Sequence, residues 1–514
     1  MQNRIFFLSS LFYLFSTSAI AEPWIKPDDY GLRADIQRLA DAGIILAPVT
    51  TYPLMWKSIL SDLNTPLEGL SPNLQDALLR VKHRYRSENS TPHSVQLSTF
   101  FASNALTTTS FGATNTQKSE KTASYAYLGK NYAIKVAVNS RSEGKKCLST
   151  GKTSEDIVLN DQALSDCDDN SFDHSYVAYR LGNWVFRAGA VEQFWGPGVD
   201  NSLIMSGNAK PLPAISLTRE QSTAFETPLL SWIGQWNFTA QMAKLESPRA
   251  VPNALLWSTR VNIRPIQQLE LAASWSAQWA GEGQPSSAGD FFDLVSGGGE
   301  CVDGTNNCNS ELITRLGNQL AGFDLRWSDT LFDQPYAFYV TAIGEDTSGG
   351  VKPVDRSYLG GIETSARIYN QSILFNLEYS DTGVACSATS TNQNCYYEHS
   401  IYKSGYRYHG RTIGSTYDND TQSYVFTVLG QLTNGDDWQI KLRRIDYNSD
   451  NKDRYPNNLD LGHTITKIAV SSNQAEFRYR KIAFGGRLTL GAFTSSNDNI
   501  ENDTSMFAKY ELNY

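Results

Sequence analysis

No apolar run in this 514-residue chain is long enough to cross a bilayer as a helix; Ile5 to Phe15 falls well short of the roughly 20 residues required. A basic excess is also missing, since 44 Lys and Arg face 53 Asp and Glu, and a net charge of -9 argues against nucleic acid as a partner. Histidine is sparse, and neither HExxH nor GxSxG occurs, so zinc-hydrolase and serine-hydrolase chemistry lack their residues. Glu398-His399 could join a distant serine, but adjacent strand residues face opposite ways. The chain reads as a non-enzyme that needs no cofactor. No Pro- or Ser-rich linker divides it.

Cysteine is sparse too, and its six copies fall as local couples: Cys147 with Cys167, Cys301 with Cys308, and Cys386 with Cys395. Each couple lies in one polar stretch, so neighbour pairing as three loop-stapling disulfides is expected in an oxidising compartment. The rival, a metal site, lacks CxxC spacing and histidine companions, and none is predicted. The start of the chain sets the compartment. Arg4, the apolar run and Ala19-Ile20-Ala21 form an export signal over 1–21, with Glu22 as the first mature residue.

Residues 22–92 are predicted as a small helical bundle. Leu32, Ile36, Leu39, Ala40 and Ile44 recur at helical spacing, and Pro53 to Leu63 forms a second short helix. Ser71-Pro72 opens a third that carries Leu74, Leu78, Val81 and Tyr85.

From residue 93 to 514 the period changes to two. In Trp232 to Met242 the residues Trp236, Phe238, Ala240 and Met242 oppose Asn237, Thr239 and Gln241; in Leu269 to Trp279 the odd positions are apolar and Glu270, Ser274, Ser276 and Gln278 oppose them. A soluble sandwich would also alternate. The polar faces here, however, carry Arg260, Arg264, Arg326, Arg367, Arg443, Arg478 and Arg480, as a water-filled barrel in lipid requires. Strands are read near 94–106, 122–128, 132–139, 175–181, 184–194, 212–220, 231–243, 256–264, 268–280, 319–328, 336–343, 358–369 and 372–380. With the helices in the periplasm, the cysteine loops then fall outside, and tight links such as Gly182-Asn183 and Asn370-Gln371 fall inside. The final strand alternates Met506, Ala508, Tyr510, Leu512 and Tyr514, which is how outer-membrane barrels close. An all-β, antiparallel transmembrane barrel of about 16 to 20 strands is predicted, in contact with outer-membrane lipid.

Several blocks are similar to the capsule assembly Wzi family. They are Leu32 to Ile44 with Pro48 to Pro53, Phe194-Trp195-Gly196-Pro197-Gly198 with Asn208 to Pro213, and Tyr397-Glu398-His399 through Gly405 to Arg411, closing on Asp418-Asn419-Asp420. The resemblance implies a monomeric barrel of about 18 strands in the bacterial outer membrane, plugged by its periplasmic N-terminal helical bundle and acting as a surface lectin for capsular polysaccharide. Lys210 and His409 stand where that family's pattern has Arg.

Sugars are bound by aromatic faces and by acidic, amide and Arg side chains. Tyr396 to Arg411 is rich in both, and Tyr397, Glu398, His399, Tyr402, Tyr406, Arg407, Tyr408 and Arg411 are the candidate carbohydrate contacts, together with Trp195. Trp195 reads slightly better as a buried corner, because two glycines around a proline mainly specify backbone shape. Asp418-Asn419-Asp420 lacks the glycine and distal glutamate of a calcium loop and reads as a turn. The expected function is anchoring of exported capsular polysaccharide or exopolysaccharide; the alternative is a porin for acidic oligosaccharides, and packing of the helices in the periplasmic mouth separates the two.

Overall fold

Strict alternation leaves two arrangements for a long strand, polar face inward or outward, and only the solvent chooses between them. In the computed structural model, which describes residues 22–113, 115–144, 169–295, 317–332, 334–345, 356–386, 391–458 and 461–513, the polar faces turn inward. Antiparallel strands close into one barrel of 18. Asp169–Ser171 and Tyr176–Leu181 both pair with Tyr132–Gly144 and form one interrupted strand. The last strand, Thr504–Asn513, closes on the first, His93–Ala102, with Phe507 opposite Ala102 and Asn513 opposite Gln96.

The strands expected up to residue 380 are all present, and five more follow: Thr421–Gln431, Asp437–Tyr447, Val470–Ala483, Gly486–Asn497 and Thr504–Asn513. Short turns collect at the end that holds the C-terminus. One of them, Phe484-Gly485, has both residues at positive φ (54° and 76°), the geometry that suits the twist of a two-residue hairpin. Two segments depart from expectation. Ser231–Ile233 is a 3-10 turn and the strand begins only at Gln235, because Gly234 (φ 71°) brings the backbone so close to Arg264 that a Cβ would overlap its carbonyl. The second helix shrinks to Trp56–Ile59, since Leu54–Met55 pairs with Trp24–Ile25 and Thr51–Tyr52 with Phe194–Trp195, which commits that backbone to ladders.

The barrel exterior is an apolar band, with Val95, Leu97, Val138, Ile215, Phe323, Val340, Leu377, Phe426 and Leu490 all exposed. No helix among the described residues is long and apolar enough to cross a membrane; the strands do the crossing. Val340 sits mid-strand on this band, so Val340→Arg is expected to destabilise the folded barrel by about 2–4 kcal/mol, read from urea unfolding in lipid vesicles. An unchanged midpoint would mean that this face does not meet hydrocarbon.

Helix α1 (Tyr30–Asp41) is capped by Asp29, whose carboxylate accepts from Leu32 N at 3.0 Å. Helix α2 is the short Trp56–Ile59 turn, and helix α3 (Pro72–Glu88) opens with proline in its first turn. Ile36, Leu39, Ala40, Leu78 and Val81 are buried in one cluster, and Arg80 clamps α3 to α1 through Asp35 at 2.7 Å. This bundle lies against inward-facing side chains near the turn end of the barrel. Arg326 meets Asp41 at 2.7 Å, Arg480 and Arg487 meet Asp29 at 2.6 and 2.7 Å, and the Glu270 carboxylate accepts from the amides of Val49 and Thr50 at 3.0 Å each. Cys386 and Cys395 form a disulfide with Cα atoms 5.0 Å apart. Cys147, Cys167, Cys301, Cys308 and the expected export segment 1–21 lie outside the described residues.

Candidate functional site

The outer loops turn into the barrel because charged side chains on its wall hold them there. The Glu378 carboxylate accepts from Val199 N at 2.6 Å and Asn201 N at 2.9 Å, and Tyr339 donates its hydroxyl to the same group at 2.7 Å. Asp200, in the same loop, pairs with Lys441 at 2.8 Å and Arg443 at 2.9 Å. Trp195 is consequently 1% exposed, with its indole N–H donating to Gln193 Oε1 at 3.0 Å. It occupies a buried corner.

Loop 382–420 follows the same pattern. Tyr396 and Tyr397 donate their hydroxyls to Leu203 O at 3.0 and 2.6 Å, Tyr406 to Ile204 O at 3.0 Å and Tyr402 to Ala280 O at 3.0 Å. His399 Nδ1 accepts from the amides of Ile401 and Tyr402 at 3.1 and 3.2 Å. Arg407 lies between Glu398 at 2.6 Å and Asp418 at 2.7 Å. Burial lifts the Glu398 carboxyl above its usual range by more than Arg407 lowers it. Burial also pushes Asp418 up, but Arg407 and His463 outweigh it and hold that carboxyl well below the ordinary range. Asp418 and Asp420 have φ of 69° and 39°, so Asp418-Asn419-Asp420 is the turn its composition suggests. Among the described residues no group of three or more His, Cys, Asp or Glu is placed to hold a metal.

Tyr397, Glu398, His399, Tyr402, Tyr406 and Arg407 are thus buried, each with at least one polar contact inside the protein, while Glu398 Oε2 and Arg407 Nη1 have no hydrogen-bond partner there. Tyr408 is buried in the same cluster, at 8% exposure, but with the half-buried His409 and Arg411 it ends the segment at an open recess. Arg407–Tyr408 and Arg411–Thr412 form a miniature hairpin whose tip, His409-Gly410, has φ of 48° and 72°. Tyr408, His409 and Arg411 line an open recess of about 1130 Å³, beside Lys210 and facing Lys26, Asp28, Glu120, Arg141 and Glu192. The rings of Tyr408 and His409 meet edge to face at 4.4 Å.

Arg411 is the most telling side chain here. Its guanidinium donates to Asn208 O at 2.7 Å, to Thr107 O at 3.1 Å and to Asn208 Oδ1 at 2.5 Å, all uncharged acceptors. Among the described residues it forms no ion pair, and burial pushes its pKa down to about 10 with only slight opposition from Asp418. A desolvated cation that borders open space without a counter-ion favours an anion there. Glu192, across the recess, is pushed up to about 7 by burial and by Asp28, which reduces its negative charge near neutrality.

The sequence reading therefore names Tyr408 and Arg411 at this recess, and its two departures from the family pattern, Lys210 and His409, converge on the same place. It does not single out Lys26, Asp28, Glu120 or Arg141. No local signal could have found them, because they come from an N-terminal segment and from strands far away in the chain.

A family model for capsule assembly protein Wzi matches residues 86–506. A relative from Klebsiella pneumoniae, an uncharacterized 55.8 kDa protein in the cps region, is 29% identical over 337 residues, 65% of this chain and 61% of the relative; the chain spans about three fifths of that relative's length. The solved structure of Wzi from Escherichia coli, an outer-membrane protein involved in group 1 capsule assembly and a carbohydrate-binding β-barrel, superposes over 97% of this chain and 99% of its own. Its TM-score is 0.75 at 24% identity, a likeness of fold. The match over most of the chain places this protein in the capsule assembly Wzi family.

Proposed function

We propose that the protein is a non-catalytic outer-membrane lectin that holds exported capsular polysaccharide or exopolysaccharide at the cell surface, acting as a monomer. The observation that carries this reading is the recess at the outer loops, with Arg411 unpaired by any described carboxylate and Tyr408 and His409 beside it. Sugar repeats would engage it weakly and many times over, so that retention arises from repetition along the polymer. Residues 22–92 serve as the plug and 93–514 as the barrel. The ties from α1 to Arg326, Arg480 and Arg487 support a mouth closed to oligosaccharides, which weighs against the porin reading.

The test is genetic deletion followed by staining of cell-attached and shed polysaccharide. Deletion is expected to shift polymer from the cells to the medium. Complementation with Arg411→Ala should restore heat-modifiable folded barrel but leave attachment about tenfold or more below that of the unchanged chain. Normal attachment after deletion would refute the anchoring role; normal attachment with Arg411→Ala would move the contact away from this recess.

A further inference from the structure

Three hollows follow one another along one side of the lumen. The outer recess shares Asp28, Asn115, Lys509 and Glu511 with a middle hollow of about 790 Å³. The middle one shares Gly31, Asp437 and Arg480 with a third, of about 1150 Å³, which reaches the inner rim at the exposed residues Thr433, Asn434 and Gly435. The three hollows therefore adjoin one another beside the helical bundle, between the outer loops and the inner rim, separated where they share these walls.

They narrow where helix α1 meets the wall. Arg480 donates through Nη2 to Asp29 Oδ1 at 2.6 Å and to Asp437 Oδ2 at 2.6 Å, while Arg487 donates to Asp29 Oδ2 at 2.7 Å. Gly31 lies directly against this cluster: a Cβ there would stand 2.8 Å from Arg480 Nη2 and 3.3 Å from Asp437 Oδ2, so the backbone of α1 itself completes the closure. The contact is made of charged groups rather than of apolar packing. Such groups are readily rehydrated once their pairing is broken, whereas an apolar constriction resists wetting.

We propose that the barrel contains a latent passage for small inorganic ions, which opens outward through the recess that borders Arg411 and is closed by the Asp29–Arg480–Asp437 cluster between α1 and the wall. Asp29 is the pivot, because it binds both arginines and also caps α1.

The test is ion conductance of the purified full-length protein in planar lipid bilayers bathed in potassium chloride. Asp29→Asn keeps an oxygen for the helix cap, since Asn caps as well as Asp, but removes the charge that holds the arginines. Current per folded barrel is expected to rise by about tenfold or more over the unchanged chain. Asp41→Asn severs a different tie between bundle and wall, that to Arg326, and borders none of the three hollows; its current is expected to stay at baseline. Silence of Asp29→Asn would overturn the proposal, as would an equal rise in Asp41→Asn, which would indicate general loosening of the bundle. If Asp29→Asn yields no heat-modifiable band, Arg487→Gln, which removes one bond of the cluster, is read by the same criteria. Polysaccharide attachment in cells carrying Asp29→Asn should remain normal, so this passage can fail or stand independently of the anchoring role.

Discussion

Replacing Arg407 by alanine is expected to free loop 382–420 from the lumen at a cost of about 3–5 kcal/mol, because two carboxylates would be left buried with no cation between them. Glu398 and Asp418 are 3% and 0% exposed, and Arg407 is the ion-pair partner each is seen to have. The loss falls on the loop rather than on the barrel, whose ladders do not involve this group. Hydrogen exchange over residues 396–420 should accelerate and protease should cut there, while heat-modifiable migration persists. Arg407→Lys should not rescue it, since a single ammonium cannot reproduce the planar fork that spans both acids. Full protection of the loop in Arg407→Ala would show that the tyrosine hydroxyl contacts alone hold it.

The second large effect is expected at Asp200, which with Glu378 binds loop 191–212 to the wall. Asp200→Ala leaves Lys441, fully buried, without its ion-pair partner, and Arg443 with Glu476 alone. The expected loss is again about 3–5 kcal/mol, measured as a lower urea midpoint of the folded barrel. Its pH dependence has a definite sign. Burial raises the Asp200 carboxyl, but Arg443 and Lys441 outweigh burial and hold it well below its ordinary value. The stabilisation is therefore present above the usual carboxylate range and is lost only as pH falls through the depressed value, so the unchanged chain should keep this loop in place in mild acid. Adding Lys441→Met to Asp200→Ala should recover part of the loss by removing the stranded charge; a double variant no more stable than the single one would contradict this account.

Architecture was far more legible than the site. Period-two alternation in segments such as Leu269 to Trp279 states which side chains share a face, and the solvent on each side follows from their chemistry, so strand positions and the inward turn of Glu270 and Gln278 could be read directly. Helix α1 was visible in the spacing of Leu32, Ile36, Leu39 and Ala40. Local spacing overextends its neighbour, because the ladder from Leu54–Met55 to Trp24–Ile25 joins segments about 30 residues apart and local propensity carries no information about such a partner.

The segment Tyr396 to Arg411 illustrates the remaining gap. Tyrosine, glutamate, histidine and arginine are the residues that bind sugars, and they are equally the residues that fasten a loop inside a wet barrel. Composition alone does not distinguish the two uses. From the chain alone come the barrel, its inward polar face, the helical N-terminus and the loops that would carry contacts, because each rests on short-range periodicity. Only the folded structure decides that Tyr397 and Arg407 hold the loop from within while Tyr408, His409 and Arg411 border open space. That division depends on Leu203, Ile204, Asp200 and Glu378, groups brought together by barrel closure across nearly the whole length of the polypeptide.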